Sequence, residues 1–377
     1  MKKSWGKCER ILCIRADNIG DLLMTTPALR ALKETFDCSI TVLTSSMAAG
    51  IVPFIREINN LIVYDASWVK SNQPGDTDAF YKVIEDIKSQ NFDAAIIFTV
   101  YSQNPMPSIM LAYLAGIPLR LAYCRENPYN LLTDWIPDKE PYTTVQHQVC
   151  RDLQLVQSVG AFTKNNHLSI SARESEWPCL HQKLLQCGVN PALPWIVFHP
   201  GVSEEKRKYP VPYWIETGRK ITQRYGAQIL ITGTEPEKKL GDQIQAGIGV
   251  SSFSIAGKLN LEEFILLIKK SPLIISVNTS TIHIAAATQT AVIVLYALTN
   301  PQHTPWKATG KVLWYDVPES LRSKNEVVRF VQDHLHPQNA EMIKPDEILT
   351  ALQDILTSTD CVIPEMIPLR SVEEQFL

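Results

Sequence analysis

Four short stretches gather residue types able to bind an anion or to move a proton. The first is Ala16-Asp17-Asn18-Ile19-Gly20-Asp21, directly after the apolar run RILCIR. Asp17 and Asp21 could accept a proton from a bound hydroxyl, and Gly20 would let the backbone approach a ligand closely. A helix starting here would also favour an anion at its N-terminus. The competing role is structural, with either aspartate capping that helix and complementing its dipole. The second stretch, His199-Pro200-Gly201-Val202-Ser203-Glu204-Glu205-Lys206-Arg207-Lys208, sets small residues with free N–H groups beside three successive cations. That is the chemistry of a diphosphate cradle, although a charge run also suits a solvated loop. In the third, Thr232-Gly233-Thr234-Glu235-Pro236-Glu237, a glycine turn precedes carboxylates. They suit a ribose diol or simply the first turn of a helix. The fourth, Asn278-Thr279-Ser280-Thr281-Ile282-His283, offers three good N-caps and then a histidine one turn further on. That histidine could donate to a phosphate or sugar oxygen. His303 follows a later apolar run in the same manner. His334 and His336 lie in a polar stretch with no third metal ligand and read as surface residues.

These stretches need elements to hold them. Apolar, β-branched runs at residues 10–15, 39–44, 61–64, 94–98 and 119–123 alternate with patterns such as DLLMTTPALRALKETF and DAFYKVIEDIKSQ. Their apolar residues recur three or four apart, as in helices. The second half repeats the scheme, with strands expected at 195–199, 228–232, 252–256, 273–277 and 292–296. Helices are expected there in VPYWIETGRKITQRYG, EPEKKLGDQIQAG and NLEEFILLIKK. This alternation predicts an α/β protein of two Rossmann-like, doubly wound domains, parallel sheets covered on both faces and facing across a cleft. Ligands of such sheets sit outside the carboxyl ends of the strands, where all four stretches fall. The expected domains are residues 1–175 and 176–343, joined through the polar region 164–194. A last helix, PDEILTALQDILTST, and a partly irregular tail from Asp360 belong to residues 344–377.

Composition excludes several classes. With 377 residues, 45% hydrophobic and 20% charged, the chain has the balance of a soluble globular protein. A formal net charge of -3 argues against a broad cationic surface for nucleic acid. Eight scattered cysteines without a C-x-x-C read as reduced thiols of a cytoplasmic protein rather than as disulfides or a zinc site. The best apolar window, IMLAYLAGIPL, breaks at Gly116 and Pro118, short of the roughly 18 residues a span needs. The N-terminus meets Asp17 and Asp21 before a signal-peptide core can form. Neither a G-x-G-x-x-G after the first strand nor a G-x-x-x-x-G-K-[ST] is present, which argues against dinucleotide oxidoreductases and P-loop enzymes.

Taken in order, IRADNIGDLLMTTPALRALK, HPG…KRKYP…W, ILITGTEPE, IAGKLNLEEFILLI and VNTSTIHIAAA…VLYALTNP resemble the heptosyltransferase family, glycosyltransferase family 9, in register from about residue 10 to residue 305. The resemblance implies the GT-B fold and an inverting sugar transfer with no metal and no required cofactor. The donor is typically ADP-heptose, so an ADP-sugar is expected here. The acceptor is a saccharide or glycolipid such as the lipopolysaccharide core, which would bring the protein to the cytoplasmic face of the inner membrane peripherally. No nucleic acid is implied. Asp21 corresponds to the family's general base, with Asp17, Asn18 and Gly20 forming the acceptor-side loop. The backbone of Gly201 and Val202, with Ser203, would line the diphosphate. The phosphate-binding lysine falls on Lys206 when counted from His199, and on Arg207 when counted back from Tyr209-Pro210. Glu237 matches the nucleotide-side glutamate, and His283 the histidine beyond the donor turn.

That turn departs from the family's Asp-[Ser/Thr]-Gly, reading Asn278-Thr279-Ser280. Asn278 keeps an acceptor oxygen but loses the charge and gains donors, and Ser280 removes glycine's backbone freedom. Two alternatives follow. One is a glycosyltransferase of the same build using another nucleotide sugar or a small-metabolite acceptor. The other is a catalytically silent nucleotide-sugar-binding protein, against which the presence of Asp21, Lys206 and His283 counts.

Overall fold

The computed structural model describes residues 4–69, 75–337, 340–358, 361–366 and 369; most of the tail, expected to be irregular, lies outside them. The chain divides into two compact units, Met1–Ser169 and Ile170–Leu377. The first is built from β1 (Arg10–Ile14), α1 (Ile19–Phe36), β2 (Ser39–Thr44), α2 (Ser46–Ala49), β3 (Asn60–Val63), α3 (Thr77–Ser89), β4 (Ala94–Ile97), α4 (Met106–Leu114), β5 (Leu119–Cys124), β6 (Asp134–Pro137) and α5 (Gln148–Gln157). Its six strands form one parallel sheet in the order β3-β2-β1-β4-β5-β6.

The second unit continues with α6 (Trp177–Gln186), β7 (Trp195–His199), α7 (Val211–Tyr225), β8 (Gln228–Ile231), α8 (Lys238–Ile248), β9 (Ser252–Ser254), α9 (Leu261–Lys270), β10 (Leu273–Val277), α10 (Ser280–Thr288), β11 (Ala291–Ala297), β12 (Gly310–Tyr315), α11 (Glu326–Phe330) and α12 (Pro345–Thr357). Its sheet, again wholly parallel, runs β12-β11-β10-β7-β8-β9. Ile348, Leu349 and Leu352 of α12 enter the same core as Phe198, Trp214 and Ile275.

Central strands such as RILCI, AAII and LIISV are buried along nearly their whole length because helices cover both faces of each sheet. In each unit the strand order reverses between the first and fourth strands, β1 and β4 or β7 and β10. In open sheets of this order ligands bind outside the carboxyl ends of that pair. Three of the four chemistry-bearing stretches leave one of these four strands.

Some elements were not evident in the sequence. β6 is a short edge strand of the first sheet ending in Pro137, and β12 is an edge strand of the second sheet. Proline and partial exposure both blur a strand pattern. Helix α5 buries Gln148, Arg151 and Asp152 along with Val149 and Leu155, so its apolar stripe is broken by polar residues that face inward. His336 is buried, at 3% exposure, unlike the surface position expected for it, and burial holds its pKa down to about 4. His334 is exposed as expected. All eight cysteines are free thiols. Among the described residues no helix is long and apolar enough to cross a membrane.

Candidate active site

In the first unit the chain leaves β1 at Arg15, whose backbone N–H still bonds Leu43 of β2 at 2.9 Å. Asn18 is the N-cap of α1 and Asp21 its third residue, with the Asn18 N–H donating to Asp21 Oδ2 at 3.3 Å. Asp21 thus completes a capping box. Its other oxygen, Oδ1, lies 3.1 Å from Arg15 Nη2. Arg15 Nε sits 3.3 Å from Asp17 Oδ2, and the Gln103 amide, from the loop after β4, donates to Asp17 Oδ1. That last contact joins the two loops at the first sheet's switch point. Deeper still, Asp152 of α5 accepts from Thr25 Oγ1 at 2.8 Å and Gln148 Nε2 at 2.7 Å. Gly20 is buried within the first turn of α1.

One arginine here faces three carboxylates, and burial favours their neutral forms. Burial pushes the Asp17 carboxyl up to about 6, against the pull of Arg15 and the Gln103 hydrogen bond, and the Asp21 charge adds to the rise. Asp152 is likewise raised by burial. Asp17 is therefore enclosed and doubly held, while Asp21 is the more open carboxylate, at 12% exposure against 8%.

In the second unit the His199 ring lies 2.9 Å from Thr232 Oγ1, whose own proton goes to the Phe198 carbonyl. His199 therefore donates from Nδ1, and burial holds its pKa down to about 4, so it is neutral near pH 7. Beyond it, Gly201 lies so close to the Glu237 carboxylate that a β-carbon there would collide with it. Glu237 turns back on its own helix start, its Oε2 accepting from Thr234 N–H at 2.7 Å and the Thr234 hydroxyl at 2.8 Å. The geometry thus gives Glu237 a capping role and pins the loop after β8 against the loop after β7.

Lys206 and Arg207 lie in a single helical turn, Glu205–Arg207. Glu204 pairs with both, at 3.5 Å from Lys206 Nζ and 3.0 Å from Arg207 Nη2. Arg207 Nη1 donates to the Asn278 carbonyl at 3.1 Å, joining the loops after β7 and β10 across the second switch point. Among the described residues Arg207, not Lys206, makes that bridge. Lys208 points away, 59% exposed and paired with Glu205. Val202 and Ser203 lead into this turn.

Asn278 accepts from Ala297 N–H at 3.2 Å and donates to the Ala297 carbonyl at 3.3 Å and Thr299 Oγ1 at 3.2 Å. It ties the end of β10 to the end of β11 through both halves of its amide. An aspartate could only accept. Asn278→Asp is accordingly expected to lower stability by about 1–3 kcal/mol, because the Ala297 carbonyl loses its donor and a charge is buried. Urea unfolding of the two proteins checks this, and an unchanged midpoint would contradict it. Thr279 is the N-cap of α10 and Ser280 its first residue; the buried Thr279 Oγ1 has no partner among the described residues, nor has Arg207 Nε. His283, one turn into α10, is buried beside His303 with ring centroids 6.4 Å apart.

The structure therefore brings Gly201 to Glu237 and Arg207 to the Asn278 turn within one unit, and Asp17 to Asp21 through Arg15 in the other. Sequence reasoning did not find Arg15, Gln103, Asp152 or Glu204. Of these only Arg15 carried a local signal, a charge at the end of an otherwise apolar strand. Among the described residues no group of three or more His, Cys, Asp or Glu side chains is arranged to hold a metal ion.

Residues 80–328 match the family model described as glycosyltransferase family 9 (heptosyltransferase). The chain is 22% identical over 312 residues to lipopolysaccharide heptosyltransferase 2 of Escherichia coli K12, covering 78% of this chain and 85% of that protein. Its fold is similar to that of E. coli ADP-heptose lps heptosyltransferase II, with a TM-score of 0.69 at 19% identity over 92% of this chain and 98% of that one. E. coli heptosyltransferase WaaC with ADP-2-deoxy-2-fluoro heptose is similar with a TM-score of 0.58 at 17% identity, over 86% of this chain and 99% of that one.

Proposed function

The chain belongs to glycosyltransferase family 9, the heptosyltransferase family, and from that premise we propose that it moves heptose from ADP-heptose onto a lipopolysaccharide-type saccharide acceptor with inversion at the anomeric carbon. The observation that carries the reading is the Arg207–Asn278 contact, which draws the cationic loop after β7 against the N-terminus of α10. A diphosphate placed there would meet Lys206, Arg207, the N–H groups of residues 201–203 and the positive end of the helix. The Thr279 hydroxyl and Arg207 Nε, buried at this junction, make no hydrogen bond among the described residues. His283, one turn deeper in α10, would border the same ligand. The similarity to E. coli ADP-heptose lps heptosyltransferase II and to heptosyltransferase WaaC with ADP-2-deoxy-2-fluoro heptose supports ADP as the nucleotide.

In the reaction the acceptor oxygen attacks the anomeric carbon while the bond from that carbon to the diphosphate oxygen breaks. ADP leaves with the bonding electron pair, and the acceptor proton passes to an Asp21 oxygen. Lys206 and Arg207 stabilise the charge growing on the diphosphate, so the reading calls for no metal and no cofactor. A glycolipid acceptor would bring the enzyme to a membrane surface as a peripheral visitor. Nuclear magnetic resonance of the product tests the proposal. The new linkage should have the anomeric configuration opposite to that of the donor; retention would overturn the single-displacement mechanism.

A further inference from the structure

We propose that Arg15 is a positioning residue for this reaction, its guanidinium holding the Asp21 carboxylate in the orientation from which it takes the acceptor proton. The inference rests on the reading of Asp21 as the base and extends it to a residue that need not touch either substrate.

Arg15 is 1% exposed, with Nη2 on Asp21 Oδ1 and Nε on Asp17 Oδ2. Nη2 alone makes a hydrogen bond; Nε, in ion-pair range of Asp17, and Nη1 are both buried without a hydrogen-bond partner among the described residues. Other buried arginines of the same unit reach backbone carbonyls, Arg151 holding the Thr99 carbonyl beside its ion pairs to Asp138 and Glu140. Arg120 directs all three nitrogens to the carbonyls of Leu131, Ile117 and Asn130. Arg30 reaches the carbonyls of Asn165 and His167 as well as Glu57. Those two clasp one chain segment to another. Among the described residues the Arg15 side chain clasps no carbonyl and serves only carboxylates at the carboxyl edge of β1. For stability alone it is a poor choice, since a desolvated charge and an unmet buried donor both weaken a fold.

What it does is set the geometry of Asp21. One carboxylate oxygen is fixed by Arg15 and the other by the Asn18 N–H, so the plane of the group and its remaining lone pairs are defined. The charged groups around the guanidinium are Asp17 on the loop, Asp21 on α1 and Asp152 on α5, with the neutral Gln103 reaching in from the loop after β4. Without the cation Asp21 would face two like charges and turn away from them.

Initial rates across pH for two variants test this. Arg15→Gln is expected to lower kcat about 10–100-fold, the scale of a small misplacement of a reacting group, with both KM values unchanged. Its acid limb should move to higher pH, because the lost cation no longer favours the ionised carboxylate. Arg15→Lys keeps the charge but not the two-pronged fork. Its acid limb should stay in place while kcat still falls by about tenfold. A residue serving folding alone would lower the melting temperature and leave kcat and the acid limb of the folded protein where they were. An unmoved acid limb in Arg15→Gln, or wild-type kcat in Arg15→Lys, overturns the proposal; should Arg15→Gln not fold, kcat of Arg15→Lys decides alone. Asp21→Asn measured alongside separates the two ideas. Activity surviving there means that the base assignment has failed, whereas an inactive Asp21→Asn beside wild-type Arg15 variants removes only the positioning role.

Discussion

Asp21→Asn is expected to reduce kcat by roughly 10²–10⁴, the range for losing a general base, while ADP affinity and folding stay close to wild type. The asparagine amide oxygen can still accept the Asn18 N–H, so the start of α1 survives the change. What disappears is the capacity to take a proton, and with it the ion pair to Arg15. ADP affinity should not respond, because the groups assigned to the diphosphate lie in the other unit. A purely structural Asp21 predicts the opposite pattern, about 1 kcal/mol of lost stability with turnover intact. Asp17→Asn is the control. Asp17 is enclosed by Arg15 and Gln103 and less exposed than Asp21, so it is poorly placed to meet an acceptor hydroxyl and its variant should keep much more of the turnover. Steady-state rates and melting curves for both variants decide between these outcomes.

The second large effect is on donor binding. Lys206→Ala and Arg207→Ala should each weaken ADP by about 1.5–3 kcal/mol, the worth of a hydrogen bond to a charged group, or roughly 10–150-fold in Kd. Arg207→Ala should also lower the melting temperature, since it releases the Asn278 carbonyl and removes the shorter of the two ion pairs to Glu204. Lys206→Ala breaks only the longer contact to Glu204 and should melt like wild type. Lys208→Ala, exposed and turned towards Glu205, should bind ADP normally. Calorimetric titration with ADP ranks the three. If Lys208→Ala binds worst, the cradle has been placed on the wrong part of the loop.

The alternation of apolar runs with helical patterns was enough to read both sheets, because central parallel strands are apolar on both faces and their helices carry one stripe. Two of the four edge strands, β6 and β12, gave no such signal. β6 ends in proline and β12 is partly exposed, so neither reads as a buried run. The candidate site was legible where it depends on position, since the strand ends can be located from the pattern and the residues after them read off directly. It was illegible where a side chain answers to a distant partner. Nothing local to Asn278 reveals that Ala297 and Thr299 will occupy its amide, and nothing local to Glu237 reveals Gly201. Asp152 lies 127 positions from the Thr25 that it accepts from. Such pairs exist only once two loops have been brought to the same edge of a sheet.

The most direct test of the account is ADP release from ADP-heptose by the purified protein, measured with and without a lipopolysaccharide acceptor lacking its heptoses. The account predicts release that requires the acceptor and equals the heptose incorporated into it. Release from a different nucleotide sugar with the same acceptor, or no release from ADP-heptose when the acceptor is present, would contradict it.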